Sequence, residues 1–430
     1  MDERWDDLST PDLSSRHDEA PWEELRAEDH READGVRERP LDTPEPNDAS
    51  ELGVPIGSDS AGRRDRRRSR TCCGRRGRTA IDMALNWLAR HQSPDGRWDA
   101  DGFMNHGDPA LGPLCDGPGD ALHDVGLTGL ALLNFLGAGE THRSGEYRDT
   151  VRRAQTWLLG QQDAEGCFGS RSTAQFTYDH AIAALALCEA YGLTKSPLLK
   201  DGATRGVRFC LASQNPGAAW RYGVADGESD TSVTGWMLMV FVSAEMAGIP
   251  VGEAPKRWAL DWLEEMTDPG TGRTGYRERG GRPSRAESRR AAFPVAESEA
   301  PTAVALLSRV LGGQDPAKHR TLRSGAELLR AKLPRWNESE GSIDMYYWYY
   351  GTLAMYQVGG KHWDAWHRAL EDAVVETQRG SRDEGEPDNF TGSWDPKGAW
   401  GENGGRVYST AIMTLSLEVY YLYGKVFGAK

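Results

Sequence analysis

The sequence predicts an all-α protein, an (α/α)6 barrel built from six helical hairpins. The first observation is that two kinds of segment alternate along residues 79–430: six are apolar on almost every side, and six are amphipathic. The second observation is a short motif that recurs between them. Because a helix that is apolar all round must be buried all round, the apolar segments predict an inner ring and the amphipathic segments an outer ring.

The predicted inner helices each open on or beside a polar residue. They read HDVGLTGLALLNFLG from His123, YDHAIAALALCEAYG from Tyr178, SDTSVTGWMLMVFVSA from Ser229, ESEAPTAVALLSRVLG from Glu297, DMYYWYYGTLAMYQVGG from Asp344 and RVYSTAIMTLSLEVYY from Arg406. The last of them is as apolar as the others. An open superhelix would need a polar capping repeat at its end, so we expect a closed ring.

The predicted outer helices carry apolar residues on one face only, at a period near 3.6. They read TAIDMALNWLARHQ from Thr79, YRDTVRRAQTWLLGQQ from Tyr147, LKDGATRGVRFCLASQ from Leu199, KRWALDWLEEM from Lys256, LRSGAELLRAKL from Leu322 and WDAWHRALEDAVVETQ from Trp363.

The recurring linker joins an outer helix to the next inner helix. It reads QSPDGRW at Gln92–Trp98 and QQDAEGCF at Gln161–Phe168, with looser forms at Gln214–Tyr222 and Asp268–Tyr276 and a stretched form from Gln378 to Pro396. Asp-Gly favours a turn, the aromatic residue can pack under the next repeat, and the glutamine can satisfy backbone groups at a helix end. We interpret the motif as structural.

Residues 1–78 form a separate segment, acidic at first and then rich in arginine, in a chain whose formal net charge is −14. Few large apolar side chains occur there, so we expect disorder. The run Arg63–Arg70 is interpreted as a solvated linker without a specific nucleic-acid partner, and contact with an anionic membrane surface stays open. Since no signal peptide or transmembrane helix is recognised, a cytoplasmic location is predicted.

At this point the sequence resembles a known superfamily. The Gln–x–x–Asp–Gly–x–Trp pattern, with its alternating helices, is similar to the prenyltransferase/squalene-oxidase repeat of squalene–hopene cyclases and of protein prenyltransferase β-subunits. The resemblance covers about Thr79 to Lys430. The chain also resembles bacterial proteins that carry this repeat alone. The resemblance implies a toroid with a central cavity and an isoprenoid or another apolar small molecule as a partner.

The motifs of the two enzyme classes are incomplete in this chain. Triterpene cyclases carry D-x-D-D-T-A, whose central aspartate protonates an alkene; the matching stretch is GESDTS, where Asp230-Thr231 matches and Ser229 occupies the place of the proton donor. Serine cannot protonate an alkene, so standard cyclase chemistry is not supported. Protein prenyltransferases bind zinc through Asp-x-Cys and a histidine. No Asp-x-Cys occurs, so no metal and no cofactor are expected.

The starts of the inner helices gather at one end of a toroid, and we expect the functional site there. The candidate catalytic residues are Asp230, Asp179, His180 and Asp124. The candidate cavity-lining residues are Trp236, Glu299, Tyr347, Trp348, Tyr350, Glu402 and Tyr408. Carboxyl groups crowded at an apolar mouth would have raised pKa values and could act as acids or bases. Helix capping by aspartate is the alternative explanation.

Three functions stay open. The protein could bind or transform an isoprenoid in its cavity, it could be a carbohydrate-active enzyme of the same toroid class, or it could be a non-catalytic scaffold that binds protein. Aromatic residues could stabilise a carbocation or stack on a sugar. A closed apolar cavity would favour the first, an open cleft with two carboxylates the second, and a centre filled by side chains the third.

Overall fold

Twelve α-helices make up the computed structural model of the protein, which describes residues 74–173, 175–380 and 386–419. The predictions for residues 1–73, including Arg63–Arg70, lie outside the described residues. Among the described residues the first helix begins at Gly74, inside the segment assigned to residues 1–78. Within the described ranges no strand occurs, and no helix is long and apolar enough to cross a membrane.

Even-numbered helices form the inner ring and odd-numbered helices the outer ring. The inner helices are α2 (Asp124–Gly137), α4 (Phe176–Thr194), α6 (Thr231–Ala247), α8 (Ala300–Leu311), α10 (Met345–Val358) and α12 (Gly401–Leu417). The outer helices are α1 (Gly74–Arg90), α3 (Arg148–Gly160), α5 (Pro197–Ser213), α7 (Glu253–Glu265), α9 (Arg320–Ala331) and α11 (Gly360–Val374).

The ring of inner helices is closed. Each inner helix packs against the next, and α12 packs against α2, while α1 completes the last hairpin by packing against α12. The inner helices are buried on nearly every side, whereas α9 buries only Leu322, Gly325, Ala326 and Leu329, one stripe at helical spacing. The all-α barrel predicted from the sequence is confirmed, because burial follows the apolar periodicity of each segment.

The linker glutamine connects one hairpin to the following one. The Gln92 Nε2 amide donates to the Gly96 carbonyl (2.8 Å) and to the Thr150 carbonyl (3.0 Å), which lies in the first turn of the next outer helix, α3. Equivalent pairs of hydrogen bonds start from Gln162, Gln214 and Gln378. The amide of Gln378 reaches Ala80 in α1 and so joins the last linker to the first outer helix.

The Asp-Gly turn needs its glycine. Gly96 has φ +105°, and a Cβ atom there would lie 2.3 Å from the Arg153 carbonyl oxygen. In the same linker, the Trp98 indole donates to the Leu88 carbonyl (2.8 Å). In this linker the turn, the aromatic residue and the glutamine together hold α1 and α3 in place, as the structural interpretation of the motif predicts.

Candidate functional site

A cavity of about 170 Å³ lies at the N-terminal end of the inner helices. All six inner helices or the residues just before them contribute to its wall, together with loops that precede α6, α8 and α12. The wall includes His123, Leu127, Leu130, Tyr178, Asp179, Ile182, Tyr222, Ser232, Trp236, Tyr276, Arg285, Ala300, Pro301, Tyr346, Trp400, Asn403 and Tyr408. Its surface is mainly apolar and rich in aromatic rings.

Asp179 is the candidate acid that the structure places in the wall. It stands in the first turn of α4, and its carboxylate oxygens lie 3.2 and 3.3 Å from His123 Nδ1. Burial raises the pKa of Asp179, and the hydrogen bond to that carboxylate raises the pKa of His123. A Cβ atom on Gly126 would lie 2.4 Å from Asp179 Oδ1, so the carboxylate approaches α2 only because residue 126 is glycine. The pair can hold or release a proton at the cavity surface.

Asp230 lies one layer behind the wall. Its Oδ1 accepts from the Val233 N–H (2.9 Å) and caps α6, while its Oδ2 accepts from the Tyr276 hydroxyl (3.0 Å). The Tyr276 hydroxyl is also 2.7 Å from the Tyr222 hydroxyl, and both tyrosines belong to the wall. Burial raises the pKa of Asp230 to about 6. Asp230 thus caps a helix and, through its other oxygen, positions a pair of cavity hydroxyls.

The residue that precedes this cap, Ser229, is hydrogen-bonded to the linker. The Ser229 hydroxyl lies 3.3 Å from Asn215 Nδ2 and accepts from the Ala219 N–H at the same distance. Ser229 is not part of the cavity wall.

Arg285 and Asp344 form a buried ion pair that sequence reasoning missed. Asp344 caps α10 by accepting from the Tyr347 N–H (3.1 Å), and its second oxygen accepts from Arg285 Nη2. The Arg285 side chain belongs to the cavity wall and is only 5% exposed as a residue. A signal for Asp344 was present, since it opens an inner helix as Asp230 does. The loop that carries Arg285 has several arginines and no periodic pattern that would select one.

Two of the candidate carboxylates bind linkers instead of facing the cavity. Asp124 accepts from the Ala100 N–H (2.8 Å) and lies 3.4 Å from Arg97, and burial raises its pKa to about 6. Glu299 accepts from Arg273 Nε (3.0 Å) and Nη2 (2.7 Å). Neither residue belongs to the wall. Both stand at helix starts as expected, but their side chains turn outward because a linker arginine neutralises each of them.

His180 also turns away from the cavity. Its Nδ1 accepts from the Phe168 N–H (3.1 Å), its Nε2 lies 3.3 Å from Cys210 Sγ, and its ring packs between Phe168 and Phe209. Burial lowers the pKa of His180 to about 3. Four other repeats place a threonine hydroxyl in the same role, beneath the linker residue: Thr128, Thr234, Thr302 and Thr410. His180, predicted as a catalytic residue, is not part of the cavity wall, and its contacts hold the linker residue Phe168.

The aromatic run of α10 divides between the two sides of the helix. Tyr346, absent from the predicted set, belongs to the cavity wall. Tyr347 donates to the Lys332 carbonyl (2.8 Å), and Trp348 packs near Trp336, so both face the outer ring. Tyr350 lies behind the wall, edge-on to Trp236 at 5.5 Å.

The remaining lining candidates are divided in the same way. Trp236 and Tyr408 are in the wall. Glu402 is exposed and pairs with Arg289, whereas its neighbour Asn403 contributes to the wall. Across the described ranges, no group of three or more His, Cys, Asp or Glu side chains could hold a metal ion.

An inner ring of six helices inside an outer ring, with a cavity at the helix starts, defines an (α/α) toroid. The alpha-1,6-mannanase of Salegentibacter sp. HEL1_6 is similar in structure: 10% identity, 80% of this chain and 98% of that chain, TM-score 0.52. An inactive variant of that mannanase, in complex with alpha-1,6-mannotriose, has 10% identity and a TM-score of 0.51, and the match covers 80% of this chain and 99% of that chain. A type II terpene cyclase, MstE from Scytonema, has 14% identity and a TM-score of 0.49, and the match covers 80% of this chain and 97% of that chain. The similarity to the mannanase is a similarity of fold. No family model and no curated protein matches the sequence.

Proposed function

We propose that the protein binds an apolar small molecule of the isoprenoid class in its central cavity. The observation that carries the proposal is the wall itself, which is mainly apolar and includes the rings of Tyr178, Trp236, Tyr346, Trp400 and Tyr408. Such a surface gains free energy by excluding water, and the few polar groups in it can fix the orientation of a ligand.

Asp179 is the group best placed to act chemically on such a ligand. It belongs to the wall, its raised pKa keeps a proton available at a higher pH than an exposed carboxyl would, and His123 can exchange that proton. Aromatic faces nearby can stabilise a positive charge formed in the ligand. We therefore assign a proton-donor role to Asp179 in preference to Asp230, which reaches the cavity only through Tyr276.

The carbohydrate alternative is less well supported by the wall. Glycoside hydrolysis generally uses two carboxyl groups, one on each side of the bond. Asp179 is the one Asp or Glu among the described residues that line the cavity, and the tyrosine hydroxyl stands between Asp230 and the ligand space. Tryptophan rings could stack on a sugar, so a mannose oligosaccharide is a necessary second probe.

Native mass spectrometry of the full chain, followed by lipid extraction, tests the proposal. We expect a co-purified lipid or saturable binding of geranylgeraniol, measured by calorimetry, and no binding of alpha-1,6-mannotriose. Ile182→Phe adds atoms to the wall and should weaken binding, while Leu193→Phe, farther along the same helix and outside the wall, should not. Binding of the sugar alone, or equal binding by both variants and the wild type, would contradict the proposal.

A further inference from the structure

One side of the cavity wall carries buried hydrogen-bond donors that have no acceptor. Arg285 Nε, Trp400 Nε1 and the Tyr408 hydroxyl are all buried atoms without a hydrogen-bond partner among the described residues. All three residues belong to the wall. Buried polar groups in proteins are nearly always hydrogen-bonded, so three unpaired donors on one wall indicate a binding partner.

These donors lie near one another. The Arg285 guanidinium stands over the Trp400 ring, 5.3 Å from its centroid, and the Tyr408 hydroxyl is close enough to Arg285 to be influenced by its charge. Arg285 is held in place, because Nη2 pairs with Asp344 and Nη1 donates to the Ser284 carbonyl (2.9 Å). Its Nε–H is therefore fixed in the wall with no competing acceptor in the described protein.

We infer that this side of the cavity is a subsite for an oxygen acceptor, and that the ligand is an apolar chain ending in a carboxylate. The inference rests on the proposed function and specifies its ligand. A carboxylate can accept two or more hydrogen bonds, one of them charge-assisted from arginine.

Local charge favours a single negative charge on the ligand. Arg285 is already neutralised by Asp344, and the carboxyl groups of Asp179 and Asp230 are on or just behind the same wall. A monoanion can accept hydrogen bonds from these donors with little repulsion from the nearby carboxyl groups. A diphosphate would bring several negative charges toward these carboxyl groups without a second compensating arginine among the wall residues described.

The test uses three probes that share the geranylgeranyl hydrocarbon chain: geranylgeranoic acid, its methyl ester and geranylgeranyl diphosphate. Each is titrated calorimetrically into the full-length protein. We expect the acid to bind about 10-fold more tightly than the ester, the magnitude of one hydrogen bond to a charged group. Tyr408→Phe removes one unpaired donor and should weaken the binding affinity for the acid about 10-fold. Because that hydroxyl has no partner among the described residues, the variant should keep the melting temperature of the wild type.

Tyr347→Phe is the matched control. It also removes a tyrosine hydroxyl from an inner helix, but that hydroxyl donates to Lys332 and faces the outer ring, so binding of the acid should not change. Trp400→Phe is an independent second variant, and it should weaken binding of the acid as Tyr408→Phe does.

The outcomes separate the inference from the function beneath it. Equal binding of acid and ester, tightest binding of the diphosphate, or acid binding unaffected by Tyr408→Phe and Trp400→Phe would overturn the carboxylate subsite while leaving isoprenoid binding intact. Binding of none of the three probes, with no lipid extracted, would overturn both.

Discussion

His180 offers a sharp test of the repeat geometry. In His180→Leu the side chain keeps a similar volume, but the Phe168 N–H loses its acceptor in a fully buried position. A buried unsatisfied donor costs about 1–3 kcal/mol, so we expect the free energy of unfolding at pH 7.5 to fall by about that amount. Binding in the cavity should not change, because the imidazole contacts Phe168, Phe209 and Cys210 rather than the wall.

The pH dependence makes this prediction more specific. Burial lowers the pKa of His180 to about 3, so as pH falls below about 6.5 the unfolded chain binds a proton that the folded chain does not. The wild type therefore loses about 2 kcal/mol relative to His180→Leu between pH 7.5 and pH 5. Urea unfolding of both proteins at the two pH values measures it. A difference that is the same at both pH values, or a stable variant that no longer binds ligand, would refute the structural role.

Three further predictions concern the helix starts and the linkers. Asp230→Asn keeps a residue that can cap α6. Because the pKa of Asp230 is raised to about 6, the stabilisation from its protonated form is lost as the pH rises from about 4 to 6. At pH 8 the variant should therefore unfold at no lower urea concentration than the wild type. Gly126→Ala should displace the Asp179 carboxylate and weaken ligand binding, whereas Gly160→Ala, with open space around its Cβ, should leave binding unchanged and raise the melting temperature slightly. Gln378→Ala removes the hydrogen bond that joins the last linker to α1 and a second one within that linker, and should lower the free energy of unfolding in urea by about 1–3 kcal/mol; an unchanged midpoint would contradict that role.

The rings were predictable because their signal is local. Apolarity on every side of a segment, or on one side only, is written into 12 to 19 consecutive residues and needs no knowledge of the neighbours. The recurring linker added the order of the helices. The sequence selected His180 as a catalytic candidate, although aligning the inner helices places it with Thr128 and Thr234, which accept the same backbone hydrogen bond in other repeats.

The cavity wall was harder to predict because it depends on how each inner helix is rotated about its axis. Adjacent helical residues point about 100° apart, so Tyr346 faces the cavity while Tyr347 faces the outer ring. Sequence alone placed both in one aromatic run. Arg285 depends on a longer-range fact, the pairing of a loop residue with Asp344 across 59 positions of the chain.

Capping and function are not alternatives for an aspartate that starts an inner helix, because a carboxylate has two oxygens. In Asp230 one oxygen caps α6 and the other holds the Tyr276 hydroxyl at the cavity. In Asp344 one oxygen caps α10 and the other fixes Arg285 in the wall. Asp124 instead gives its oxygens to a linker N–H and a linker arginine. The partner of the second oxygen therefore decides which helix start supports the site, and sequence motifs do not encode that partner.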